Sequence, residues 1–173
     1  ELYIAATVQL DFCLSPDDPS LQVTESGLSY FDPVNRQTVV LDASLREITH
    51  IPAPEDLEGT PLLSHDRETL YYCTKAGIRA WNLETGIRRV IKEAGFAQQS
   101  VTGLHLNDTV LQCRAADSEG NASTLLLSTE NGRILYEGAQ ELTMRSCGDS
   151  YFLSFPTGCT RALLFGQAGE ESP

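Results

Sequence analysis

A segment that returns at a spacing of forty residues limits this chain more than any other feature. Gly77-Ile78-Arg79-Ala80-Trp81-Asn82-Leu83-Glu84-Thr85-Gly86-Ile87 reads as strand, tight turn and strand. Thr38 to Arg46 is its counterpart, with Leu41-Asp42 forty residues before Trp81-Asn82. Thr124 to Arg133 is a third copy, about 46 residues beyond the second. His65 and Cys73 return as His105 and Cys113, again forty residues on. A chain with this period cannot build one large sheet. It must stack small, similar units, none of which buries its apolar faces alone.

Within the unit, the second repeat is the clearest. Gly59 to Ser64 reads as an inner strand and Thr69 to Thr74 as a β-branched and aromatic strand. Ile78 to Asn82 and Ile87 to Ile91 follow, joined by Leu83-Glu84-Thr85-Gly86. The third repeat has the same order but a longer connection, Ala115 to Ala122, which lengthens its period. The first runs from about Ser20; a register fifty residues long starts it near Gln9 instead, and both stay open here. The fourth supplies three strands, Leu142 to Cys147, Ser150 to Phe155 and Arg161 to Phe165. Four short antiparallel strands per period of this length predict an all-β, β-propeller-like array of about four blades. The expected layout is one domain over 1–173, with blades at about 14–52, 57–95, 99–138 and 141–167 and an N-terminal strand at 2–10. Either that strand completes the last blade and closes a four-bladed ring, or the chain is part of a larger propeller.

Charge narrows the partners. Twenty-four acidic residues against twelve basic ones give −12, and no basic cluster exceeds Arg88-Arg89. A phosphate backbone needs clustered cations, so nucleic acid and anionic membrane surfaces are disfavoured. No apolar run approaches the roughly 18 to 20 residues of a membrane span. The sequence starts at Glu1 without Met, which fits a processed protein or a part of a longer one.

Five cysteines (Cys13, Cys73, Cys113, Cys147, Cys159) contain no CxxC pair. Cys73 and Cys113 fall at matching points of apolar strands and are expected to be buried thiols. Cys147 with Cys159 is the best-placed disulfide pair. No GxSxG, HExxH, Walker or GxGxxG motif occurs.

His65 and His105 follow inner strands of successive repeats, so both can approach one rim. A metal there needs a third donor such as Asp66 or Asp108, whereas plain turn capping needs none. Asp17, Asp18, Asp66 and Asp108 lie in matching turns, and capping of backbone N–H groups is again the simpler role beside Ca²⁺ binding. With His50, the three histidines are too few for a metal centre. Tyr71 and Tyr72 are expected to face opposite sides of their sheet, and Trp81 to be core by its match to Leu41 and Leu127. Asn107 and Asn121 head glycosylation triplets, Asn121 in the longest hairpin loop. No catalytic, cofactor-binding or metal-binding residue is assigned.

Ser15-Pro16-Asp17-Asp18 resembles the Ser-Pro-Asp-Gly turn of WD40-like repeats of the TolB type. Trp81-Asn82-Leu83-Glu84-Thr85-Gly86 is similar to the hydrophobic-Asp-x-x-Thr-Gly turn shared by WD40-like, YVTN-type and quinoprotein-type blades. Asp18 replaces the usual Gly, Asn82 and Ser128 replace Asp, and no Trp follows Thr85-Gly86 as a quinoprotein blade would have it. The resemblance implies a rigid scaffold outside the cytoplasm that binds a protein or small ligand through its loops, without cofactor. An enzyme or carbohydrate-binding propeller using acidic rim residues is the alternative, as is a fragment of a larger propeller without activity of its own. An incomplete ring is expected to oligomerise.

Overall fold

The computed structural model describes residues 6–93, 98–105, 107–117, 119–139, 143–147, 150–154 and 163–165. All secondary structure in them is β. Sheet 1 contains β1 (Gln22–Thr24), β2 (Gly27–Asp32), β3 (Gln37–Asp42) and β4 (Glu47–Pro52). Sheet 2 contains β5 (Glu58–Leu63), β6 (Thr69–Thr74), β7 (Gly77–Asn82) and β8 (Arg88–Glu93). Sheet 3 contains β9 (Gln98–His105), β10 (Val110–Ala116), β11 (Ala122–Ser128) and β12 (Ile134–Gly138). The three-stranded sheet 4 contains β13 (Thr143–Cys147), β14 (Ser150–Ser154) and β15 (Leu163–Phe165). Each is an antiparallel meander with strands in chain order. Among the described residues no helix is long and apolar enough to cross a membrane.

Sheets 1 to 3 stack face to face because their middle strands are apolar on both sides. In β6, Leu70 and Tyr72 point toward sheet 1, while Tyr71 and Cys73 point toward sheet 3, as period-two alternation requires. Between sheets 1 and 2, Phe31 meets Leu57 and Tyr72, and Val40 meets Leu63 and Leu70. Between sheets 2 and 3, Leu62, Tyr71 and Ile78 pack with Leu111, Cys113 and Leu125. The outer strands β4, β8 and β12 are mostly exposed. Sheets stacked in chain order, each with its first strand inside and its last outside, form a propeller-like array.

The forty-residue repeat is visible atom by atom in the turns before the outer strands. Asp42, Asn82 and Ser128 donate their N–H groups to Arg46, Ile87 and Arg133 carbonyls, each at 2.9 Å. Each turn holds one left-handed residue: Leu45 (φ 61°), Gly86 (φ 73°) and Gly132 (φ 70°). Asp42 caps its turn by accepting from the Ser44 and Arg46 N–H groups, and Asn82 does so from Thr85.

The N-terminus departs from expectation. The described part of the expected strand, residues 6–10, pairs with no sheet. The first ladder begins at Gln22, which agrees with the register starting near Ser20. Between them, Asp18 N–H donates to Ser15 O, Leu21 N–H to Asp18 O, and Ser20 N–H to Asp18 Oδ1. Pro16 and Pro19 have no N–H to give. The segment therefore uses its donors on local turns, and no ladder extends through it.

Gly132 also tests how the blades meet. A Cβ there would lie 1.8 Å from the Ile91 carbonyl oxygen of β8, whereas a Cβ on Gly86 meets nothing within 4 Å. Gly86→Ala should therefore cost only left-handed strain, about 1 kcal/mol. Gly132→Ala should cost clearly more in urea denaturation, and equal losses would contradict the close approach of sheet 3 to β8.

Candidate functional site

Two turns and one incoming segment meet on the inner-strand side of sheets 1 to 3. After β5, Ser64 N–H bonds Thr69 O and Arg67 N–H bonds Ser64 O, with Arg67 left-handed at φ 66°. Ser64 Oγ donates to Asp66 Oδ1, which also accepts the Glu68 N–H. Asp66 is thereby committed to its own turn. After β9, Asn107 and Asp108 both adopt positive φ, a conformation that short polar side chains tolerate best. This swings the Asp108 carboxylate across to sheet 2.

There Asp108 Oδ2 accepts the His65 N–H at 2.9 Å, and Oδ1 lies 2.6 Å from His65 Nδ1. The Asp108 carbonyl accepts the Thr129 hydroxyl at 2.7 Å. The carboxylate is 14% exposed and the imidazole 48%, so this clasp between blades is partly shielded from solvent. Arg89 makes a second one, donating from β8 to the Thr129 and Glu130 carbonyls at 2.6 and 3.1 Å. His105 Nε2 lies 3.0 Å from Gln112 Oε1. Burial holds the His105 pKa below its ordinary value; the Gln112 bond opposes this and nearby His65 adds to it.

A cleft of about 330 Å³ opens beside these groups, lined by Pro16 to Pro19, Leu21 to Val23, His65 and Gly103 to His105. The inner side of three successive blades thus contributes to one concavity. Val23 is 74% exposed at its wall, an unusual placement for a β-branched apolar side chain on an inner strand.

The expected rim residues are brought together in part. His65, His105, Asp17 and Asp18 line the cleft, while Asp66 and Asp108 turn to their own hydrogen bonds. Asp18 is occupied by the Ser20 hydroxyl and N–H. Among the described residues no group of three His, Cys, Asp or Glu side chains is placed to hold a metal. His50 lies apart on exposed β4, 3.1 Å from Glu47. Tyr71 and Tyr72 are both buried on opposite faces. Trp81 is half-buried against sheet 1 with the Arg88 guanidinium 4.6 Å over its ring, so it forms core capped by a cation. Asn107 and Asn121 are exposed, the latter bonded to Asp117. Sequence reading did not find the His65–Asp108 clasp or the Gln112 partner, because both join residues through tertiary packing.

Cys73 and Cys113 are buried thiols, as expected, and Cys13 is exposed. Burial pushes the Cys73 pKa up to about 12 and the Cys113 value well up too. Cys159, and with it the expected pair with Cys147, lies outside the described residues.

No family model matches the sequence, and no curated protein matches it. Solved structures that match include hydrazine synthase of Kuenenia stuttgartiensis, with 14% identity and TM-score 0.47, over 79% of this chain and 44% of that one. A chain of a nidogen/laminin complex matches with 18% identity and TM-score 0.47, over 80% and 59%. The β-propeller domain of the Trilobed protease from Pyrococcus furiosus matches with 13% identity and TM-score 0.45, over 79% and 47%. This chain thus spans between 44% and 59% of the length of these three. Its own sheet order and face-to-face packing define the class: an all-β, propeller-like array with three four-stranded antiparallel sheets among the described residues.

Two outcomes test the site. With a lowered pKa, folded His105 refuses a proton that the unfolded chain accepts below about pH 6.5, so stability falls on acidification through that region. His105→Gln should lessen the drop in denaturation midpoint between about pH 7.5 and about pH 5.5; an unchanged drop would contradict the burial. Separately, iodoacetamide on the native protein should modify Cys13 and spare Cys73 and Cys113, with all three modified after denaturation. Peptide mass spectrometry reads the difference.

Proposed function

We propose that the chain is a non-catalytic propeller module, a single domain that binds a protein segment or small ligand through the loops around the inner-strand cleft. The observation that carries this reading is that the cleft's histidines and Asp18 are engaged in structural bonds, which leaves Asp17 as its exposed carboxylate. His65 is bonded to Asp108, His105 to Gln112 and Asp18 to Ser20. In these bonds the side chains hold turns and blades. Exposed Asp17 and Val23 present the binding surface. The Ser15 to Asp18 and Asn82 to Gly86 turns support grouping the repeats with WD40-like and YVTN-type blades, whose frames present loops in this way.

The test compares the wild-type chain with Asp17→Arg/Val23→Glu, both immobilised and exposed to extract from the source cells. Both side chains lie on the cleft wall and leave the buried core untouched. The variant should keep the wild-type melting temperature and lose the partners or metabolites that the wild type retains. Retention of the same set by both would remove the cleft as the binding surface.

A further inference from the structure

Each later blade docks on its predecessor through one face, and the repeat identifies that face in the first blade. Trp81 of β7 packs toward sheet 1, among Phe31, Val40 and Ile51. Leu127 of β11 packs toward sheet 2, in the cluster that holds Leu62, Tyr71 and Cys73. Leu41 of β3 occupies the same position in the repeat. The face carrying Leu41, with Tyr30 and Val39 beside it, is therefore the one by which sheet 1 would meet a preceding blade.

Among the described residues, what covers this face comes from the N-terminal segment. Leu10, Phe12 and Leu14 pack on Tyr30, Val39 and Leu41, with Leu21, Leu28 and Leu45 of sheet 1 and its turns at the margin. The Phe12 and Tyr30 rings stand 5.9 Å apart, tilted by 46°. The cover is thin: it forms no strand, and all three of its apolar side chains are half-buried. Beside it a cleft of about 260 Å³ remains open, lined in part by Val23, Gly27, Leu28 and Leu45. Beneath the strap Tyr30, Val39 and Leu41 are 6%, 4% and 2% exposed, close to Leu127 at 0% and deeper than half-buried Trp81 at the matching positions of sheets 3 and 2.

We propose that residues 10–14 are a surrogate blade, a strap that covers the docking face of sheet 1, and that the uncovered face takes a blade from a second copy of this chain. The occupant follows from continuity with the interfaces inside the molecule. The two equivalent faces already accept a blade of this repeat type, so the shape that complements the third is another such blade. Period-two burial makes the face apolar along two strands, and an apolar face of that extent does not stay bare in water.

The experiment uses the full chain in sedimentation velocity over about a hundredfold range of concentration, chosen to bracket micromolar association. Phe12→Asp/Leu14→Asp should release the strap, and Val8→Asp, at a side chain already 45% exposed, serves as control. The double variant should roughly double its mean mass with rising concentration, and a synthetic peptide of residues 6–15 should reverse that by re-covering the face. Val8→Asp should sediment like the wild type. A double variant that keeps the wild-type mass throughout would overturn the proposal, since the free face would then take the chain's own fourth sheet or nothing. Association that the peptide does not reverse would also overturn it. Should the double variant fail to fold by circular dichroism, Phe12→Ala carries the same test with a smaller loss of cover.

Discussion

The structure depends on the fact that its middle strands are apolar on both faces. A sheet with one apolar face is satisfied by a single partner. Sheets 2 and 3, with residues such as Leu70 and Tyr71 buried on opposite sides of one strand, need a neighbour on each. Stacking in chain order provides it, and on the first sheet the face opposite sheet 2 is covered, among the described residues, by the N-terminal segment. Leu10, Phe12 and Leu14 of that segment pack on Tyr30, Val39 and Leu41.

Polar contacts then set how the stacked sheets sit on one another. Apolar faces attract without direction, so register between blades needs directional bonds. Asp108 reaching His65, and Arg89 reaching the Thr129 and Glu130 carbonyls, join the turns of sheet 3 to sheet 2. Both clasps use left-handed or tightly turned backbone to aim a group across the gap. Gly132 allows the same approach by having no Cβ to meet Ile91. Of the side chains that look reactive in the sequence, His65 and Asp108 thus align blades, while Asp18 and Asp66 hold their own turns.

Much of the fold was legible before any coordinates. The alternation in Thr69 to Thr74, the matched turns at Asp42 and Asn82, and the glycines at 86 and 132 act within a few residues, so they appear directly as sequence pattern. The burial of Cys73 and Cys113 was legible for the same reason. The N-terminal segment was misread between residues 6 and 10 because its composition suits a strand, while its fate depended on whether a sheet edge was free to pair with it. The candidate site was legible only as a set of residues near one rim.

The sequence alone determined the unit: four short strands, their turns, which side chains alternate inward, and the period that forces stacking. These follow from local backbone preference and from hydrophobic periodicity, which each repeat contains in itself. Tertiary structure decided which rim residues face each other, that Asp108 clasps His65 instead of joining Asp17 and Asp18, and that the first blade is covered by a strap. Those outcomes join positions up to 43 residues apart, and pairing over such distances is chosen by packing, which no local pattern encodes.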